Sequence, residues 1–475
     1  MFFLPNTGLS MASNWALLAV VAAVLAAASI FLTYRVSRKT ILPPPPHALV
    51  FPPSRRHALA SLPQFEKATP QQHETITPAM LRAQALTTKA KPDLRVDGLY
   101  TPTGFATQDI RALGRFPDYA VLAGVRHPEP VGPGWDIARA VFRPYRPFRW
   151  GYHQHMALMK YEPDWWVELE RNYTKTMAAR QALLQTHGDR IFFAGSGAAD
   201  LAARELMEML LQFLCRRYPA HFRLERGGEV FVNCLLDTVT DLVSTPPLRV
   251  LFENVPEDYA IMLRNEDDGL YYLRAAMVCS SVGWDIAQHR DSPLRAIHTH
   301  VPDAGRMAMS MDRWFSRLAT DAPVSRCSWS LEDWEAMFTS PEVDAGWTRS
   351  AFAGRPDALN VGDIRLRCDA QTLRRLPVSG AVVFNFKAVF TPLIELRGEP
   401  FVPALLHRVL RDGKADLIGY KCVDNVRHVA MEALEMWAAE QAEQGIVPPD
   451  WEVGTLDESP FFPGWREKLR RQQGF

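Results

Sequence analysis

Two runs late in the chain, "DIRLRCDAQTL" from residue 363 and "GAVVFNFKAVFTPL" from residue 380, constrain the fold most. Both are rich in β-branched and aromatic residues and bounded by Gly or Pro, which predicts strands. "GEVFVNCLLD" (228–237) and "GLYYLRAAMVCSS" (269–281) carry the same signature. Helical stretches intervene. "YTKTMAARQALLQTHGD" starts at 173, and "AADLAARELMEMLLQFLCRRYPAHF" at 198 is the stronger. In the latter Leu201, Glu205, Met209 and Phe213 trace one line, with Leu206, Leu210 and Leu214 beside it, until Pro219 ends the pattern. Further helical stretches are predicted at 303–319, 401–411 and 423–443. Strands with helices between them, and no regular βαβ series, predict an α+β fold with an antiparallel sheet and flanking helices.

The N-terminal part is different. "WALLAVVAAVLAAASIFLTY" (15–34) holds no charge and is long enough to cross a bilayer core. Arg35, Arg38 and Lys39 follow it and no basic residue precedes it, so the rest of the chain is expected on the cytosolic side. A cleaved leader, with small residues at 26–29, is the rival reading. "ILPPPPHALVFPPSRR" (41–56) is expected to be an extended spacer. The expected organisation is therefore an anchor over 1–40, a linker and surface-wrapping segment over 41–95, one domain over 96–440 and a tail over 441–475. Lys+Arg and Asp+Glu each number 53, which argues against non-specific nucleic-acid binding, since that draws on surplus positive charge. The six cysteines lie far apart with no CxxC, the pattern of reduced thiols.

Local chemistry is sparse. "HRD" (289–291) lacks the Asn, the Gly-rich loop and the DFG that a kinase needs. "AGSGAAD" (194–200) opens a helix and is better read as a cap than as an anion cradle. "HQH" (153–155) and "HTH" (298–300) place imidazole pairs at i,i+2, yet zinc needs further ligands that neither supplies. Haem needs one axial imidazole, an apolar slot and basic groups for its propionates. On a strand Arg367, Asp369 and Gln371 share one face and Leu366, Cys368 and Ala370 the other, with Arg374 and Arg375 following before Pro377. The first face either is solvated or lines a polar cavity. Trp165, Trp166 and Tyr173, with Trp150 and Tyr152, fit a core.

Five pieces in this order are "MALMKYEPDWWVELERNY", "VCSSVGWDIAQHRDSPLRAIHTHVP", "SRCSWSL", "LRCDAQTLRRLPVSGAVVFNFKAVFTPL" and "GYKCV". Together they resemble the haem-dependent oxidative N-demethylase alpha-subunit-like family, whose fungal members are called HRQ family proteins. The likeness spans roughly 100–425. It departs from the family pattern at His300, where a proline is usual, and at Asp369 and Ala370, where Glu and Arg are usual. "RCSW" (326–329) stands where RxNW is common.

The resemblance implies a PAS-like fold holding haem b. It also implies a monooxygenase-type oxidative removal of a methyl group from a small amine, with O2 consumed and formaldehyde released. Electrons would come from separate flavin and iron–sulfur subunits. It makes His298 the iron ligand and Arg367, Arg375 and Arg374 candidates for the propionates. Asp369 and Gln371 are then candidates to orient the amine or bound oxygen. Trp284, Asp285 and Tyr173 would contribute to the pocket, and His300 is an alternative ligand. A non-catalytic haem-sensing module and a haem-free interaction domain are the other readings the residues allow.

Overall fold

The computed structural model describes residues 103–473 except 104, 106, 152, 154, 155, 266, 300, 334, 336, 340–358, 422 and 423. The apolar run 15–34, the proline-rich spacer and the imidazoles at 155 and 300 lie outside the described residues. Among the described residues no helix is long and apolar enough to cross a membrane.

The main helices cover Tyr173–His187 (α1), Ala198–Arg217 (α2), Pro247–Asn254 (α3), Leu294–Ile297 (α4), Ala304–Arg317 (α5), Val402–Asp412 (α6), Ala415–Lys421 (α7), Asp424–Glu443 (α8) and Trp465–Gln473 (α9). Short strands are Met159–Lys160 (β1), Phe192–Phe193 (β2), Phe222–Glu225 (β3), Val230–Asn233 (β4) and Thr238–Asp241 (β5). Asp258–Arg264 (β6), Tyr271–Met277 (β7), Val324–Glu332 (β8), Arg365–Arg375 (β9) and Val382–Pro392 (β10) build the frame. One sheet runs β1-β8-β9-β10-β6-β7-β2, and all its pairings are antiparallel. A separate three-stranded sheet runs β3-β4-β5. The fold is α+β. Strands β6 and β8, with the short β1, β2, β3 and β5, are additions to those predicted from the sequence.

Side-chain alternation divides the large sheet. One face carries Cys327, Trp329, Leu366, Cys368, Val383 and Tyr259, which pack under α1–α3 at one end and under α6 and α8 at the other. Leu206, Leu210 and Phe252 belong to the first of these cores, Leu406 and Trp437 to the second. Phe462 and Trp465 also join the second core, so the chain beyond 440 is packed against the domain. The opposite face carries Leu373, Val382 and Phe386, covered by Leu294 of α4 and by Met311 and Phe315 of α5.

Helix α2 begins where "AGSGAAD" placed a cap. The Gly197 N–H donates to Asp200 Oδ2 at 3.1 Å. Gly195 is required by close approach, since a Cβ there would lie 2.4 Å from the Arg274 carbonyl oxygen. The thiols of Cys215, Cys234, Cys279, Cys327 and Cys368 are all unbridged.

A buried carboxyl supports the first core. Glu257, ahead of β6, accepts hydrogen bonds from Asn385 Nδ2 and from the Glu168 N–H. Burial pushes its carboxyl up to about 8, with Lys387 pulling the other way. The folded chain therefore holds a proton that the unfolded chain releases above 4.5. Stability is fully present below that lower value and falls as pH rises through about 8. Glu257→Gln, which stays neutral, is expected to match wild type in urea unfolding near pH 4.5. Above pH 8 it is expected to exceed wild type, by at most about 5 kcal/mol. Equal stabilities at both pH values would show that the carboxyl is ionised in the fold.

Candidate haem-binding site

The site is built from the turn after β7 and the sheet face beneath it. Pro293 precedes the single turn of α4, and His298 caps its C-terminal end. The His298 Nδ1 lies 2.9 Å from the Leu294 carbonyl oxygen. A carbonyl can only accept, so Nδ1 carries the hydrogen and the Nε2 lone pair is left for a ligand role. Burial lowers the His298 pKa below the ordinary imidazole value. The Leu294 bond opposes that shift, and the charges of Arg326 and His289 reinforce it. A neutral imidazole with a fixed tautomer is what an axial ligand requires.

Across the sheet, Arg326 of β8 stands opposite Gln371 of β9, and Phe386 of β10 flanks Gln371 on its other side. Ser328 and Ala388 flank Asp369 in the same way. These residues share the face that α4 covers. Trp284, Ile297 and Phe384 are partly buried and pack against the Leu373–Phe386 core, with Ile297 next to His298 in the chain. Two buried polar atoms on this face lack any hydrogen-bond partner: Arg326 Nε and Gln371 Oε1. An orphaned buried polar group costs about 1–3 kcal/mol, so this donor and acceptor are available to a polar ligand.

Asp369 is held rather than free. Arg367 Nε donates to Asp369 Oδ1 at 2.9 Å, and another Arg367 nitrogen donates to the Ser280 carbonyl at 2.6 Å. Ser280 is fixed in turn, because its N–H donates to Asp258 Oδ2 at 2.8 Å. Asp258 pairs with Arg180 of α1 at 2.5 Å. A chain of charge-assisted bonds thus runs from α1 through the sheet to Asp369 and sets where that carboxylate sits.

Arg367, Asp369 and Gln371 share one face of β9, Trp284 packs at the edge of the core on that face, and His298 feels the charge of Arg326 from it. Three other candidates are placed differently. Arg374 points to the opposite face, 3.4 Å from the Tyr161 hydroxyl and 4.0 Å over the Trp166 ring. Strand alternation requires this, since neighbours on β9 face opposite ways. Arg375 does lie on the His298 face, but its donors are engaged. They reach the carbonyls of Leu318 (2.6 Å), Gly380 (2.8 Å) and Phe315 (2.5 Å) and the Tyr271 hydroxyl (2.8 Å). It ties β9 to the end of α5. Tyr173 is buried in the first core, donating to the Asn254 carbonyl at 2.7 Å and accepting from Asn233 Nδ2 at 2.8 Å.

Arg326 was legible only as part of "RCSW". Its place opposite Gln371 follows from the β8–β9 register, which local sequence does not encode. Among the described residues no three of His, Cys, Asp and Glu converge as a metal cage. Haem does not need one: a single oriented imidazole fits its demand for an axial ligand.

The family model described as "Haem-dependent oxidative N-demethylase, alpha subunit-like" matches residues 157–431, more than half of the chain. The chain belongs to that family.

Proposed function

We propose that this protein is a haem-b-dependent oxygenase that removes a methyl group from a small amine, drawing electrons from a separate flavin and iron–sulfur reductase. The observation that carries this reading is the His298 arrangement, an imidazole whose Nδ1 is bonded to the Leu294 carbonyl and whose pKa is lowered by burial. The order β7-β6-β10-β9-β8, with α4 and α5 between β7 and β8 laid on one face, supports a PAS-like domain. The charge-free run 15–34, followed by three basic residues, supports a single-pass anchor with the domain on the cytosolic side.

His298 would hold the iron, and haem once bound would supply the redox couple and the activation of O2. Asp369, one oxygen fixed by Arg367, offers its other oxygen to an alkylammonium and so brings the N-methyl group to a defined place. Gln371 presents an unpaired Oε1 beside it, an acceptor for a second N–H of the amine.

Amine-dependent O2 uptake with formaldehyde release, driven by an artificial reductant, tests this reading. Haem binding without amine turnover would favour the sensing module instead. In an active preparation Asp369→Asn is expected to raise KM for a small amine about tenfold while kcat changes little. The substitution removes a charge–charge contact made equally in ground and transition states. A fall in kcat at constant KM would contradict the positioning role.

A further inference from the structure

Of the guanidinium groups expected to meet the haem carboxylates, Arg367 and Arg375 are occupied and Arg374 faces the other side, whereas two others are not engaged among the described residues. Strand β1 pairs only with Val324 and Ser325 of β8, and among the described residues no other strand pairs with that edge. Against the open edge lies a cavity of about 50 Å³, lined in part by Arg149, His153, Arg326, Ser328 and Lys421. It has room for several times the roughly 10–15 Å³ that one water requires.

No Asp or Glu lines it among the described residues. Lys421 Nζ donates to Ser328 Oγ at 2.6 Å, which turns that ammonium toward the cavity wall. Arg149 and Arg326 make no side-chain hydrogen bond and no ion pair among the described residues. Arg326 Nε is buried as well. The Asp369 carboxylate acts on Arg326 only through space and is already hydrogen-bonded to Arg367. Cations left uncompensated inside a protein are costly, and guanidinium forks match carboxylates best.

We propose that this cavity is a carboxylate subsite in which Arg149 and Arg326 clamp one carboxylate, with Lys421 as the third positive charge. Arg326 belongs to two places at once: it lines the cavity, and its charge acts on His298. The bound carboxylate therefore sits beside the haem-facing wall, and this placement rests on the functional reading given above. Two sources carry the right group, a haem propionate and the carboxyl of an N-methylated amino acid.

The test compares the full-length protein with Arg149→Gln, Arg326→Gln and the double variant. Haem and haem dimethyl ester, whose propionates are blocked, are titrated into each. If the propionate is the occupant, wild type prefers haem over the ester, and each substitution weakens haem by about tenfold while leaving the ester unchanged. If the substrate carboxyl is the occupant, haem and ester bind alike. Each substitution then weakens the spectral response to N-methylglycine by about tenfold and leaves that to dimethylamine unchanged.

Apo protein gives an arm that does not need haem. Sodium propionate is expected to raise the melting temperature of wild type and not of the double variant. Because neither guanidinium has a partner to lose, the variants themselves should melt no lower than wild type. A lower melting temperature with no change in any carboxylate response would assign the arginines to the fold and overturn the proposal. So would variants indistinguishable from wild type with all four probes and with propionate. Failure of haem to bind while propionate still stabilises wild type would contradict the functional reading and leave the carboxylate subsite standing.

Discussion

Replacing His298 by alanine in the full-length protein is expected to weaken haem binding by roughly a hundredfold or more. Outer-shell partners of metal ligands are worth about 10–100-fold, and a sole axial ligand should exceed them. The cause is chemical rather than structural. The His298 side chain makes one hydrogen bond, to the carbonyl of its own turn, so its loss leaves the packing of α4 and α5 intact. Melting of the apo variant should shift little, since the side chain is only half-buried. Added imidazole, able to enter the space vacated, should restore the haem spectrum of the variant. Loss of haem with no rescue and with a collapsed melting temperature would assign His298 a packing role instead.

Arg375→Met is expected to act in the opposite sense, on the fold and not on the cofactor. The guanidinium is 2% exposed and satisfies three backbone carbonyls and the Tyr271 hydroxyl at once. Methionine fills a similar volume but donates nothing, so those acceptors are left buried and unpaired. At about 1–3 kcal/mol for an orphaned group, with partial relaxation, the net loss should be about 3–5 kcal/mol. That is a large share of a typical stability of about 5–15 kcal/mol. Lysine should not rescue it, because one ammonium cannot reach the acceptors that the planar fork spans. Urea unfolding of the apo protein reads the effect. A variant with unchanged unfolding and weakened haem binding would return Arg375 to the propionate role that its sequence position suggested.

Arg375 shows where sequence reading succeeds and where it stops. Alternation along β9 correctly placed Arg367, Asp369 and Gln371 on one face, because the two-residue period is local. Arg374 and Arg375 were expected at the turn before Pro377, whereas β9 runs on through both, so the same period carries Arg375 to that face and Arg374 to the far side. What it could not give is the partner of each guanidinium: the acceptors of Arg375 lie on α5 and in the turn before β10. Those are tertiary facts. The strongest helices were equally legible, since α2 carries continuous apolar lines and ends before Pro219. Strand β8 was not singled out, although "RCSWSL" alternates, because polar Arg326, Ser328 and Ser330 dilute its hydrophobic signal. Its polarity belongs to the site: Arg326 and Ser328 face Gln371 and Asp369 across the pairing. Tyr173 misled for a related reason. A tyrosine among motif residues suggests a pocket, whereas here its hydroxyl closes a buried network with Asn233 and Asn254.

The absorption spectrum of the full-length protein, reconstituted with haem and then reduced under carbon monoxide, tests the central claim most directly. A stoichiometric Soret band whose carbon monoxide adduct has the position of an imidazole-ligated haem, lost in the His298→Ala variant, is the predicted result. A protein that leaves haem in its free form, or whose adduct is unchanged when His298 is removed, would contradict it.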